Sequence, residues 1–152
     1  MAFQVKDCMT KKLQYLSPDM NAEDAMKKLL DLRMSGLPVI DESGKLHGVF
    51  TEKEILKSIL PVYIKNVGAF IYADNSKAEI RKIAELGKFA VKDIMRKETV
   101  VITEEASLTE ASRVMLTKSE RRLMVVKDGK VVGVITRADV VLALAKEAKV
   151  IS

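Results

Sequence analysis

The residues with the clearest capacity for chemistry lie near the C-terminal end, in Thr136-Arg137-Ala138-Asp139. A hydroxyl and a carboxylate three positions apart at the start of a helical pattern form a capping box. The free N–H groups of the same helix end also favour an anion. Spacing alone leaves both readings open. Upstream, Arg121-Arg122 offer guanidinium forks suited to phosphate oxygens, and within Lys118-Ser119-Glu120-Arg121-Arg122 they also read as a solvated loop. Bond-making chemistry has less to work with. One histidine, His47, and one cysteine, Cys8, cannot assemble the usual tetrahedral zinc site. There is no Ser–His–Asp set beyond that single histidine, no Walker-type glycine loop and no G-x-G-x-x-G run. No enzyme activity, metal or required cofactor is expected.

The elements that position these residues occur twice. Val5-Lys6-Asp7-Cys8-Met9 returns 86 residues later as Val91-Lys92-Asp93-Ile94-Met95. At that offset Ala25 meets Ala111, Leu30 meets Leu116, Leu37 meets Leu123 and Val39 meets Val125. Past the glycine turn the offset falls to 85, where Gly48-Val49-Phe50-Thr51 meets Gly133-Val134-Ile135-Thr136. Each copy reads as β-α-β-β-α. An extended stretch (Gln14 to Leu16; Thr99 to Ile102) precedes a helix, with capping groups offered by Ser17-Pro18-Asp19 and Asn21 in the first copy and by Thr103-Glu104-Glu105 and Ser107 in the second. Apolar positions recur at helical spacing, as Ala22, Ala25, Met26, Leu29 and Leu30, then as Leu108, Ala111, Val114 and Met115. Two short strands follow (Leu37 to Ile40 and Leu46 to Phe50; Leu123 to Val126 and Val131 to Ile135), joined by a glycine-containing turn. Thr51 and Thr136 then open the last helix of each copy. Against this register Cys8 pairs with Ile94 and His47 with Val132, so a small hydrophobe and a strand residue are expected there.

A unit of about 50 residues buries too little core to stand alone. The expected architecture is α/β (α+β): two repeats packed sheet to sheet with pseudo-two-fold symmetry, forming one module with a ligand cleft at their interface. The first repeat covers 1–60, a helical insert 61–90, and the second repeat 91–152. In the insert, Asp74-Asn75-Ser76 reads as a helix start before Ala78 to Leu86, with Gly87 closing it. Tyr63, Phe70, Tyr72 and Phe89 cluster there. They fit a helical pair packed on the flank, or a dimer surface, partner surface or lid.

This layout resembles a CBS-domain pair, or Bateman module. The likeness rests on Leu37-Pro38-Val39-Ile40-Asp41, on Gly44-Lys45-Leu46-His47-Gly48-Val49 and on Thr136-Arg137-Ala138-Asp139, in repeated order. The resemblance implies a binder of adenosine-containing ligands such as AMP, ADP, ATP or S-adenosylmethionine, acting as a sensor on a partner protein and commonly as a homodimer. It implies that Asp139 accepts both ribose hydroxyls, that Thr136 reaches toward phosphate, and that Arg121 and Arg122 contact phosphate. Val134 and Ala138 would line the pocket, with Gln14, Met34 and Ser35 closing it from the other repeat. The first repeat departs from the family pattern. Glu54 stands where an Asp is usual, and Ser35-Gly36 replace the basic pair. A weaker second site is implied at Val49, Thr51 and Glu54, with Val100 and Arg121 across the interface. An oligomerising adaptor with vestigial sites is the alternative function.

Composition agrees with a soluble globular chain. Of the 152 residues, 48% are hydrophobic and 31% charged, and no apolar run approaches the roughly 20 residues of a membrane span. The first seven residues hold no apolar segment, so no signal peptide is expected and the cytoplasm is the expected compartment. The net charge of +5 invites a polyanion, but the basic residues are interspersed with acidic ones, as in Glu23-Asp24 and Lys27-Lys28. Nucleic acid is not the expected partner.

Overall fold

The computed structural model describes residues 3–60 and 76–152. In chain order these form α1 (Val5–Cys8), α2 (Ala22–Leu32), β1 (Gly36–Ile40), β2 (Leu46–Thr51), α3 (Glu52–Ile59), α4 (Ser76–Ala84), a 3₁₀ turn (Leu86–Lys88), α5 (Val91–Ile94), β3 (Val101–Thr103), α6 (Leu108–Thr117), β4 (Arg122–Lys127), β5 (Lys130–Thr136) and α7 (Arg137–Glu147). The mixed α+β architecture expected from the duplication is what the chain adopts. One sheet holds β1 and β2; the other has the order β3-β4-β5.

The described residues fall into two compact units that do not follow chain order. One, the C-repeat unit, joins the described part of Met1–Gln14 and the turn Glu42–Leu46 to Thr99–Ser152. The other, the N-repeat unit, holds Tyr15–Asp41 and the described part of His47–Glu98.

In the C-repeat unit β3 runs parallel to β4, with Ile102 opposite Val125. β4 pairs antiparallel with β5, setting Leu123 opposite Ile135. Asp128 and Gly129 turn this hairpin with φ of 52° and 77°. That suits an Asp-Gly pair, because a two-residue hairpin needs positive φ at both central positions. The core gathers Ile102, Leu108, Ala111, Met115, Leu123, Val125, Ile135 and Val140. Val5, carried by α1, is fully buried in the same cluster. Its N–H donates to the Ala106 carbonyl at 2.8 Å, which seats α1 in this unit. At the unit's edge Lys127 Nζ lies 3.0 Å from Glu104 Oε1.

The N-repeat unit repeats this plan with the roles exchanged. Its core is Leu16, Ala22, Ala25, Leu29, Leu37, Val39, Phe50, Ile55 and Leu86, and the α5 residue Val91 completes it. The Val91 N–H donates to the Met20 carbonyl at 2.8 Å. Each Val-Lys-Asp segment thus belongs to the compact unit built around the opposite repeat. The opening extended stretch is shorter than its sequence suggests, a single parallel bridge from Leu16 to Val39. Leu30 and Leu116 belong to the apolar patterns of α2 and α6 yet stay exposed.

Helix starts follow the local sequence. The Asn21 side chain accepts from the N–H groups of Glu23 and Asp24, and Ser107 accepts from Glu110. α4 covers most of the expected 78–86 helix, ending at Ala84 before the 3₁₀ turn. Of the insert's aromatics, Phe89 is half-exposed. Tyr63, Phe70 and Tyr72, with the proposed start at Asp74 and Asn75, lie outside the described residues.

Candidate ligand-binding site

β5 delivers the chain to α7 through Thr136, whose extended backbone (φ −112°, ψ 164°) ends the strand and frees its side chain to cap. The Thr136 Oγ1 accepts from the Asp139 N–H at 3.1 Å, and Asp139 Oδ2 accepts from the Thr136 N–H at 2.9 Å. The capping box expected from the spacing is therefore present. It uses only one carboxylate oxygen. Asp139 is half-buried, and its Oδ1 has no hydrogen-bond partner among the described residues. An ionised carboxylate accepts on both oxygens, so this turn keeps acceptor capacity beside a positive helix end.

β4 brings the arginines to the same place. Arg122 pairs across the sheet with Thr136, and the Arg137 N–H donates to the Arg121 carbonyl at 3.0 Å. Both guanidinium-bearing side chains are exposed. Val134, half-buried, lies two residues before Thr136 on β5, and Ala138 is exposed in the first turn of α7. Thr136, Asp139, Arg121, Arg122, Val134 and Ala138 are thereby collected at one end of one sheet.

A neighbour that the sequence analysis missed is Thr10. Its N–H donates to the Val134 carbonyl at 2.8 Å, and the Val134 N–H donates back to the Thr10 carbonyl at 2.9 Å. Gly133 makes this approach possible, since a Cβ there would lie 2.9 Å from the Thr10 oxygen and 2.7 Å from Met9 Sδ. The signal available in sequence was the glycine at the same strand position in both copies. Cys8, close by, has its thiol pKa raised by burial and then by the charges of Asp7 and Asp139.

The equivalent turn in the N-repeat unit has the same backbone and a different polar arrangement. Thr51 caps α3 by accepting from the Glu54 N–H at 3.2 Å, and the Glu52 N–H donates to the Ser35 carbonyl at 2.8 Å. Val49 exchanges two 2.9 Å backbone hydrogen bonds with Arg96, the repeat counterpart of Thr10. A Cβ on Gly48 would overlap the Arg96 carbonyl oxygen. The Glu54 carboxylate, however, turns inward. Its side chain is 8% exposed, with Oε1 4.0 Å from Arg96 Nε and 3.5 Å from the Thr51 hydroxyl. Glu54 is the only buried charged residue among those described.

The remaining predicted residues are placed as follows. Gln14 is exposed and belongs to the C-repeat unit, the unit of Asp139. Met34 is half-buried against the core of the N-repeat unit, and Ser35 is exposed beside it. Val100 packs against the core of the C-repeat unit. His47 is a β2 residue, as expected, and its Nε2 lies 2.7 Å from Asp41 Oδ2. Among the described residues no three His, Cys, Asp or Glu side chains group as metal ligands. No helix there is long and apolar enough to cross a membrane.

Comparison with known proteins identifies this arrangement. A family model described as CBS domain matches residues 5–61 and again 91–146. The CBS domain-containing protein CBSX1 of Arabidopsis thaliana, a chloroplastic protein, is 34% identical over 93% of this chain and 64% of its own length. CBSX2 of the same plant is 32% identical over 93% of this chain and 63% of its length, so the chain spans a little under two thirds of these relatives. A crystal structure of CBSX2 in complex with AMP superposes with a TM-score of 0.71 at 30% identity, covering 96% of this chain and 98% of that one.

Proposed function

Because this chain belongs to the CBS-domain family, we propose that it is a regulatory module that binds an adenosine-containing ligand at the Thr136–Asp139 turn and passes the change to a partner protein. The observation that carries this reading is the Asp139 carboxylate: half-buried, held in place through one oxygen, and with the other unused among the described residues. A ribose diol presents two hydroxyl donors, which suit such an acceptor. The first turn of α7 and the guanidinium groups of Arg121 and Arg122 then favour the phosphate. The AMP complex of CBSX2 supports the ligand class. Val134 and Ala138 supply apolar and small surface beside the turn, and the resemblance adds Gln14, Met34 and Ser35 to the same ligand. The repeats 1–60 and 91–152, joined by 61–90, work as one module, as a homodimer in the cytoplasm, without catalysing a reaction. To respond, the module must have two arrangements that differ in ligand affinity.

The second reading, an oligomerising adaptor, draws on the Glu54 turn, whose carboxylate already has protein partners. A thermal-shift panel of AMP, ADP, ATP and S-adenosylmethionine on wild type and Asp139→Ala separates the two. A ligand at 100 times its Kd adds about 2.7 kcal/mol, or roughly 5–10 °C for a chain of this size. A shift lost in Asp139→Ala is the expected result. No shift with any ligand moves the adaptor to the front.

A further inference from the structure

Among the differences between the two Thr-x-x-acid turns, two lie at positions that meet in the N-repeat unit. Where the C-repeat unit has Asp139 and Thr10, the N-repeat unit has Glu54 and Arg96. The backbone is the same in both: Thr10 bridges Val134 and Arg96 bridges Val49, each through a pair of hydrogen bonds. A longer acid is met by a long base at a neighbouring position, with Arg96 Nε 4.0 Å from Glu54 Oε1.

We propose that Arg96 is a built-in counter-ion that holds Glu54 in the interior of its own unit, so that the Thr51–Glu54 turn is closed to adenosine ligands and each chain keeps one working site. This rests on the reading of Thr136–Asp139 given above. Three observations carry it. The Glu54 side chain is 8% exposed, whereas a ribose-binding carboxylate must be reachable. A carboxylate so buried is costly unless a charge and hydrogen bonds compensate it, and Arg96 Nε at 4.0 Å supplies the charge. The Thr51 hydroxyl is also spent on the acid, accepting from the Glu54 N–H at 3.2 Å and lying 3.5 Å from Oε1. Thr136, by contrast, keeps its hydroxyl hydrogen free of Asp139, whose Oδ2 is engaged by a backbone N–H instead. Arg96 Nε is itself buried with no hydrogen-bond partner among the described residues. That position is explained if its task is to neutralise Glu54 rather than to make a well-aligned bond.

The test is to give the N-repeat unit the residues of its counterpart. AMP stoichiometry is measured by isothermal titration calorimetry on the full chain, for wild type and for the double variant Arg96→Thr/Glu54→Asp. The double variant is expected to bind one more AMP per chain than wild type. A folded double variant with no added site overturns the proposal. So does a wild type that binds two AMP and loses one in Glu54→Ala. Asp139→Ala, made in both backgrounds, separates this result from the reading it rests on. If wild type binds no AMP the Asp139 assignment fails, while the gain or absence of a site in the double variant still decides the role of Arg96. Arg96→Gln keeps most of the stem and removes the charge. It is expected to open the same site at weaker affinity, and it keeps the test standing should the double variant fail to fold.

Discussion

In the C-repeat and N-repeat units, α7 and α3 start with the same threonine cap and spend it differently. In the first, Thr136 and Asp139 bond to each other's backbone N–H groups, and one carboxylate oxygen has no partner among the described residues. In the second, one additional methylene carries the Glu54 carboxylate away from the Thr51 N–H and into contact with Arg96. In both copies the threonine hydroxyl caps its helix, and a pair of backbone hydrogen bonds ties the preceding strand to Thr10 or Arg96. What changes is whether the acid's capacity is satisfied inside the protein or remains for a ligand. On the proposed reading, a duplicated fold keeps its architecture in both halves while its binding chemistry survives in one.

The largest expected effect comes from the side-chain volume removed at one shared core position. Phe50 and Ile135 are repeat counterparts, both fully buried. Phe50→Ala should cost about 3–5 kcal/mol and Ile135→Val about 0.5–1.5 kcal/mol in urea unfolding. Equal losses would show that side-chain volume at this position does not set the stability. Next is the ligand response. Asp139→Ala should remove the AMP-induced stabilisation of about 2.7 kcal/mol at 100 times Kd, while Glu54→Ala should retain it. If Glu54→Ala alone loses the response, the two turns have been assigned the wrong way round.

A smaller contrast lies at the helix caps. Asn21 and Ser107 are counterparts, and removing either cap by substitution with Ala should cost about 1 kcal/mol. Asn21 also donates from its amide to the Gly87 carbonyl at 2.7 Å. Its loss should therefore exceed that of Ser107 by about 0.5–1.5 kcal/mol, read as the difference in thermal stability. The least effect concerns Cys8. Its raised thiol pKa leaves less thiolate at a given pH, so iodoacetamide should alkylate it more slowly at pH 8 than a free cysteine. Asp139→Asn removes one of the charges responsible and should speed that reaction. An unchanged rate would separate Cys8 from the Asp139 turn.

Much of this was legible in the sequence because its signals are local or repeated. Apolar spacing, the Asp-Gly turn and the capping residues Asn21, Ser107, Thr51 and Thr136 report on a few neighbouring residues each. The duplication then doubled every signal and fixed the register. What escaped depends on contacts far apart in the chain. Nothing within Val5-Lys6-Asp7 says that Val5 completes the core around Ile135 rather than its own repeat's core. The same distance hid Thr10 beside Val134 and Arg96 beside Glu54. Glu54 stood out as a departure from the family pattern, but its partner could be found only by pairing Arg96 with Thr10 in the repeat. The exposure of Leu30 and Leu116 was hidden for a different reason: a helical apolar pattern identifies a stripe without marking its edge.

The most direct test of the central claim is an AMP titration followed through backbone amide resonances of the full chain by NMR. The account predicts saturable shifts across Val134 and Thr136 to Val140, with the amides of Val49 and Thr51 to Ile55 unmoved. Shifts confined to the Thr51–Glu54 turn, or none at either turn with AMP in large excess, would contradict it.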